Sequence, residues 1–267
     1  MAKPARVKWS PVLERAAEIV SSYDTGVSLR QLFYRLVSEE LLPNTLTAYK
    51  TLSARSAEAR REGWFPALID RGRSIHRYQT FSDPESAREW LRHIYRRDRT
   101  ENQDTSIYLG VEKAATVEQL KMWFGELGLP ILVLGGYSSQ TYCGNLAEDV
   151  LEQDRSAVLL YAGDFDPSGE DIDRDFLERT NVFDKVIRVA LNPDQVREYE
   201  LPVQMGKSTD SRAAGFVRRH GTLVQVELDA LPPDILRNLY EEAIEVFLDM
   251  SKWRRAVDRE EEERDQL

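Results

Sequence analysis

The stretch Ala157-Val-Leu-Leu-Tyr161-Ala-Gly-Asp164-Phe-Asp166-Pro167-Ser-Gly169 decides how this chain is read. The apolar run Ala157 to Tyr161 has the length and composition of a buried strand. Ser168 to Arg179 has the pattern of a helix. Between them, Asp164 and Asp166 lie two residues apart, so on extended backbone they project to one face. Two carboxylates so placed repel each other unless a cation sits between them. A hard divalent ion is the usual occupant, because it takes oxygen ligands and keeps part of its water. Pro167 stops the strand and Gly169 permits a tight turn into the helix. The stretch therefore sets a carboxylate pair at the C-terminal edge of a strand, the edge where open α/β sheets bind ligands.

Working outward, strands are predicted at 107–111, 130–134, 157–162 and 185–190, with helices at 116–127, 140–152 and 168–179. Strand–helix alternation of this kind predicts a parallel sheet with crossover helices. Glu112 closes the first of these strands. If strands 107–111 and 157–162 are neighbours, Glu112, Asp164 and Asp166 converge on a site of the Mg²⁺ type with positions left for phosphate oxygens. Acids also cap strands and face water, so each residue alone carries less than the set. The segment 192–199, a loop at 201–212, a strand at 223–228 and a long helix from Pro233 follow. The charged end, Arg254 to Leu267, reads as a solvated helix with no site.

Toward the N-terminus, Ser10-Pro11 marks a helix start. Ser28 caps a second helix over 29–40, and Asn44 or Thr45 caps a third that reaches Arg61. Short strands are predicted at 63–69 and 75–81, around Asp70-Arg-Gly72-Arg73. Three helices followed by a two-stranded wing form a winged helix-turn-helix pattern, whose third helix enters a major groove. Thr47, Lys50, Thr51 and Arg55 share one face of that helix, a spacing that a plain solvated face has as well. An arginine-rich helix is predicted over 82–104, and the polar break Thr100 to Thr105 ends it. The expected organisation is a winged-helix domain over 1–80, a helical linker over 81–104 and an α/β domain over 105–267.

The chain of 267 residues carries a net charge of -10, distributed unevenly. Residues 1–99 hold 18 Lys+Arg against 12 Asp+Glu, whereas residues 100–267 hold 18 against 34. A basic front half on an acidic chain fits an electrostatic footprint for phosphate. The single cysteine, Cys143, excludes an intrachain disulfide and suits a cytoplasmic protein. No apolar stretch approaches membrane-spanning length, and the N-terminus lacks the apolar segment of a signal peptide.

Glu112-Lys113 followed by Asp164-Phe-Asp166-Pro-Ser-Gly169 resembles the Toprim domain of type II and type VI topoisomerases. The flanking pieces point to the topoisomerase VI A subunit and the related transesterase of meiotic double-strand breaks. Ser28-Leu-Arg30-Gln-Leu-Phe33-Tyr34 is similar to their Arg-x-x-(Tyr/Phe)-Tyr motif. Gly135-Gly136-Tyr137 stands at the place of a Gly-rich turn. Asn192 to Pro202 and Val226 to Pro232 resemble later segments of the family. The resemblance covers most of the chain in order. It implies a winged helix followed by a Toprim-type, Rossmann-like parallel-sheet domain, with Mg²⁺ (or Mn²⁺) as cofactor and double-stranded DNA as substrate.

Carried over by residue, Glu112 acts on a proton or the metal, Asp164 and Asp166 hold metal, Tyr34 is the attacking tyrosine and Arg30 its companion. Tyr34 lies off the apolar stripe Leu29, Leu32, Phe33, Leu36 and Val37, so it is expected at the surface beside Arg30. Double-strand cleavage from one site per chain implies a homodimer. The chain lacks an ATP-binding pattern, so an ATPase partner is a separate subunit. Around Tyr137-Ser-Ser-Gln-Thr-Tyr142 the chain departs from the charged residues of the family turn. Two other readings stay open, a hydrolytic Toprim nuclease in which water replaces Tyr34, and a non-catalytic DNA-binding subunit.

Overall fold

A serine and a glutamine set one end of the helix that carries Arg30 and Tyr34. In the computed structural model, Ser28 Oγ accepts from Gln31 N at 3.2 Å and Gln31 Oε1 accepts from Ser28 N at 3.0 Å. This reciprocal capping box satisfies donors that a helix start leaves open. The structure describes residues 7–23, 26–69, 78–135, 139–206 and 209–267, without the side chains of 172 and 173.

In chain order the elements are α1 (Trp9–Ser22), α2 (Leu29–Ser38), α3 (Leu46–Arg61), α4 (Pro84–Ile94), β1 (Thr105–Val111), α5 (Val117–Phe124), β2 (Ile131–Val133), α6 (Gln140–Glu152), β3 (Ser156–Ala162) and α7 (Pro167–Thr180). There follow β4 (Lys185–Ala190), α8 (Pro193–Glu198), β5 (Gln204–Met205), α9 (Ala213–His220), β6 (Val224–Gln225), α10 (Pro233–Glu245) and α11 (Met250–Arg264). The expected alternation is present as a four-stranded parallel sheet in the order β2-β1-β3-β4. β1 pairs with β2 in register Leu109–Ile131, Gly110–Leu132 and Val111–Val133. Strands β1 and β3 are thus neighbours. From Ala157 to Ala162 every β3 residue is buried, as a strand covered on both faces requires. A second, two-stranded sheet pairs β5 with β6 antiparallel.

The chain divides into two compact units. One comprises residues Met1–Arg71, Ala162–Asp175 and Arg188–Leu239; the other comprises Gly72–Tyr161, Phe176–Ile187 and Tyr240–Leu267. In the first, α2 packs against α1, α3 and the turn at Leu228–Ala230. In the second, Tyr240 is wholly buried and its hydroxyl donates to Gly110 O at 2.7 Å, which spares a strand carbonyl from lying unpaired. The polar segment 100–105 is packed inside this unit: Gln103 Nε2 donates to Asp249 O at 2.9 Å, and Asp249 N returns a bond to Gln103 Oε1 at 2.8 Å.

Several local expectations need correction. Helix α1 begins at Trp9 behind Lys8, which makes no side-chain cap, so Ser10 is not the capping residue. Pro11 falls in the first turn, where its missing N–H is not needed. Helix α4 ends at Ile94 rather than near 104, and the N–H of Arg97 is taken by Glu260 Oε2 at 3.0 Å instead of a helical carbonyl. The wing is not seen as strands in 63–69 or 78–81; Ile69 N donates to Val27 O at 3.0 Å. Its tip, 70–77, and Gly136-Tyr137 lie outside the described residues. The helix from Pro233 is interrupted, restarting behind Asp249, whose Oδ1 accepts from Ser251 N at 2.8 Å. The charged C-terminal segment is not merely solvated, because Glu260 on α11 is fully buried.

Candidate functional site

Gly163 leaves β3 paired with the end of β4: its N–H donates to Ala190 O at 2.8 Å and its carbonyl accepts from Leu191 N at 2.9 Å. The chain then crosses to the segment after β6. Phe165 and Val226 form an antiparallel bridge, exchanging bonds of 2.8 and 3.0 Å. That pairing fixes what the flanking aspartates do. Asp164 is 6% exposed and its Oδ1 accepts from Leu228 N at 2.8 Å. Asp166 Oδ1 accepts from Gly169 N at 2.7 Å and so closes the first turn of α7. Each carboxylate therefore orders the loop with one oxygen. Gly169 is required for a steric reason, since a Cβ there would lie 2.3 Å from Asp164 O.

Segment 226–229 also reaches α2. Arg30 Nη2 pairs with Glu227 Oε1 at 2.6 Å, and Arg30 Nε lies 3.8 Å from Asp229 Oδ2. Thus four consecutive residues tie the Asp164–Asp166 loop to the helix that carries Arg30 and Tyr34, all within one unit. For Glu227 and Asp229 the sequence alone leaves support of the site and plain capping open; the signal missing from it is Arg30, which stands 197 positions before Glu227.

Tyr34 departs from its expected surface position: it is 5% exposed. The physical reason is the packing of the Leu228–Ala230 turn on α2, which covers a face that periodicity assigns to solvent. Its ring meets Phe33 edge-on with centroids 5.6 Å apart. The hydroxyl borders a cavity of about 290 Å³, lined in part by Arg30, Tyr49, Gln204 and Glu227. Gln204 Nε2 lies 3.5 Å from it, at the long limit of a hydrogen bond. Burial pushes the Tyr34 phenol up to about 12, Glu227 adds to this, and Arg30 pulls the other way.

In the protein without added ions, Tyr34 is accordingly expected to ionise near pH ~12 rather than ~10. Absorbance titration at the tyrosinate band, wild type minus Tyr34→Phe, measures this directly; a difference curve centred at the ordinary value would contradict it. The linked stability has a definite sign. The contribution is present below the ordinary tyrosine value and is lost as pH rises through the folded one, because only the unfolded chain releases the proton in between.

On α3, Ala48, Leu52, Ser56 and Ala59 are buried, and Thr47, Lys50 and Arg55 are exposed, as the spacing predicts. Thr51 is half-buried and donates to Thr47 O at 2.8 Å. Arg55 is already engaged, with its guanidinium 5.3 Å from the Trp9 ring centroid.

Glu112 follows β1 in the other unit and is half-buried. There the backbone of Gly135 passes so close that a Cβ would lie 1.9 Å from Glu112 O, so the first glycine of the expected turn is sterically required. Among the described residues no group of three His, Cys, Asp or Glu side chains is arranged to hold a metal ion. The carboxylate chemistry of Asp164 and Asp166 still suits a hard ion that takes few protein oxygens and completes its shell with water and phosphate. Of the histidines, His220 Nε2 lies 2.6 Å from Glu170 Oε1 and its ring packs on Phe216. Cys143 is buried and free. No helix among the described residues is long and apolar enough to cross a membrane.

No family model and no curated protein matches this chain.

Proposed function

We propose that this protein is a Mg²⁺-dependent DNA-cleaving enzyme resembling the topoisomerase VI A subunit, with a winged-helix front and a Toprim-type sheet domain. The observation that carries this reading is the link through residues 226–229. Leu228 N is held by Asp164 while its neighbour Glu227 holds Arg30, one helical turn before Tyr34. The two motifs that the resemblance pairs thus belong to one connected constellation.

In this reading Asp164 and Asp166 would hold the ion, and Glu112 keeps the role on a proton or the metal that the resemblance implies. A bound divalent ion supplies charge neutralisation at the scissile phosphate and makes an attacking hydroxyl more acidic. Arg30, anchored by Glu227, orients Tyr34 and offers positive charge to a phosphate. Tyr34 is the nucleophile of the transesterase route, in which its oxygen replaces the leaving sugar oxygen on phosphorus and joins the protein to a DNA end. At neutral pH a phenol held near ~12 is almost wholly protonated, so that route needs its proton removed in the complex with DNA and metal. The same burial favours a second reading, a hydrolytic nuclease in which water would be the nucleophile and Tyr34 only lines the cavity. A homodimer and a separate ATPase subunit belong to the transesterase reading.

Plasmid cleavage with Mg²⁺ or Mn²⁺ separates these readings. Wild type, Tyr34→Phe and Asp166→Ala are compared on gels run with and without protease treatment. Loss of cutting in both variants, with protein left on the ends of wild-type product, is the expected result. Loss in Asp166→Ala alone with free ends selects the hydrolytic reading. A wild type that never cuts, with either ion, removes the enzymatic reading for the isolated chain and favours a DNA-binding subunit.

A further inference from the structure

Beside the aspartate loop lies a cavity of about 590 Å³ that the constellation above does not use. Its lining brings Arg174, Arg188, Arg212, Arg218, Arg219 and His220 together from three stretches of chain in one unit. Glu170 and Asp171 are the acids among the lining residues. Five guanidinium groups against two carboxylates make a positive cleft on a chain of net charge -10. The size is that of an ordinary ligand site.

Helix α9 presents Ala214, Gly215, Arg218 and Arg219 to the cleft while Ala213 and Phe216 are buried. The small residues leave room for a ligand to approach, and the arginines stand one turn further on. Arg188 is fixed: its Nη2 donates to Asp164 O at 2.6 Å and its Nε to Leu191 O at 3.0 Å. Pro167, next to Asp166, lies on the wall. Arg219 meets Glu170 at 2.5 Å with its side chain 57% exposed. Arg212 is held more fully, by Asp210 at 2.9 Å and Asp171 at 3.3 Å, and Arg174 meets Asp171 at 2.8 Å. The Arg219 fork is open to solvent on one side, so phosphate oxygens compete with Glu170 for it.

We propose that this arginine-lined cleft binds the sugar–phosphate backbone of DNA and leads it to the Asp164–Asp166 loop. The choice of DNA as ligand rests on the cleavage reading; the cleft itself rests on its geometry and charge. Glu170 acts as an internal competitor that DNA displaces from Arg219 and His220.

The test is anisotropy of a short labelled DNA duplex in EDTA, titrated with protein over a range of KCl concentrations. Arg218→Gln/Arg219→Gln is expected to weaken binding about tenfold or more and to flatten the salt slope by about two, at roughly 0.9 for each phosphate no longer neutralised. Arg88→Gln on α4 serves as a control for general loss of charge. Glu170→Gln is expected to tighten binding, a gain that misfolding cannot produce. Unchanged affinity and slope in the double variant, or no gain in Glu170→Gln, overturns the proposal. So does loss of inorganic pyrophosphate binding with DNA binding intact, which would make the cleft a small-anion site. If wild type cuts DNA and the double variant binds and cuts equally well, the cleft fails and the cleavage reading stands. If wild type never cuts but the double variant loses DNA binding as expected, the cleft stands and the cleavage reading fails.

Discussion

Glu260→Ala is expected to destabilise the protein by about 3–5 kcal/mol, the usual cost of removing one member of a buried charge pair. Glu260 is 0% exposed and Arg99 only 7%. Their contact is bidentate, Arg99 Nη2 to Oε1 at 2.8 Å and Nε to Oε2 at 3.1 Å. The same carboxylate accepts the N–H of Arg97 at 3.0 Å and meets Arg264 at 2.5 Å. Deleting it leaves Arg99 with Glu126 alone and opens the backbone where α4 has ended. Urea unfolding of wild type, Glu260→Ala and the double variant Arg99→Met/Glu260→Leu measures the effect. The double variant is expected to recover part of the loss, since replacing both members removes the buried charge of Arg99 while the Arg97 N–H and Arg264 still lack the carboxylate. A Glu260→Ala midpoint equal to wild type would refute the structural role.

The pH dependence follows. Burial raises the Glu260 carboxyl, but Arg99 and the Arg97 N–H outweigh it and hold the group below its ordinary value. Its stabilisation is therefore present above the unfolded value, about 4.5, and is lost as pH falls through the folded one. The acid limb of unfolding should flatten in Glu260→Ala.

Asp164 yields the second large effect, and two substitutions separate its two roles. Asp164→Asn keeps an oxygen for Leu228 N but removes the charge. Under the proposed function it is expected to fold normally and to lose cleavage by at least about a hundredfold, through lost electrostatic stabilisation of the reacting phosphate. Asp164→Ala also removes the acceptor. Its additional cost is about 1–3 kcal/mol, because the buried Leu228 N–H loses its partner. Thermal unfolding beside plasmid cleavage reads both. An Asp164→Asn protein that cuts like wild type would exclude Asp164 as a metal ligand.

Local pattern in this chain determined a good deal. The buried run Ala157–Ala162, the strand–helix alternation, the cap at Ser28, a cap at Asn44 or Thr45 and the Asp-x-Asp-Pro-x-Gly turn are all matters of period and of residues within a few positions of each other. Those signals survive in any tertiary context, because hydrogen-bond caps and side-chain alternation act within one element. Tertiary structure alone decided the rest. It buried Tyr34 by laying the 228–230 turn on α2, made Glu260 the centre of a charged cluster, and gathered arginines from α7, β4 and α9 into one cleft. It also joined Arg30 to Glu227 across 197 residues. Periodicity tells a helix which of its faces is apolar, but the face a distant segment covers depends on where the chain returns, and no local pattern encodes that return.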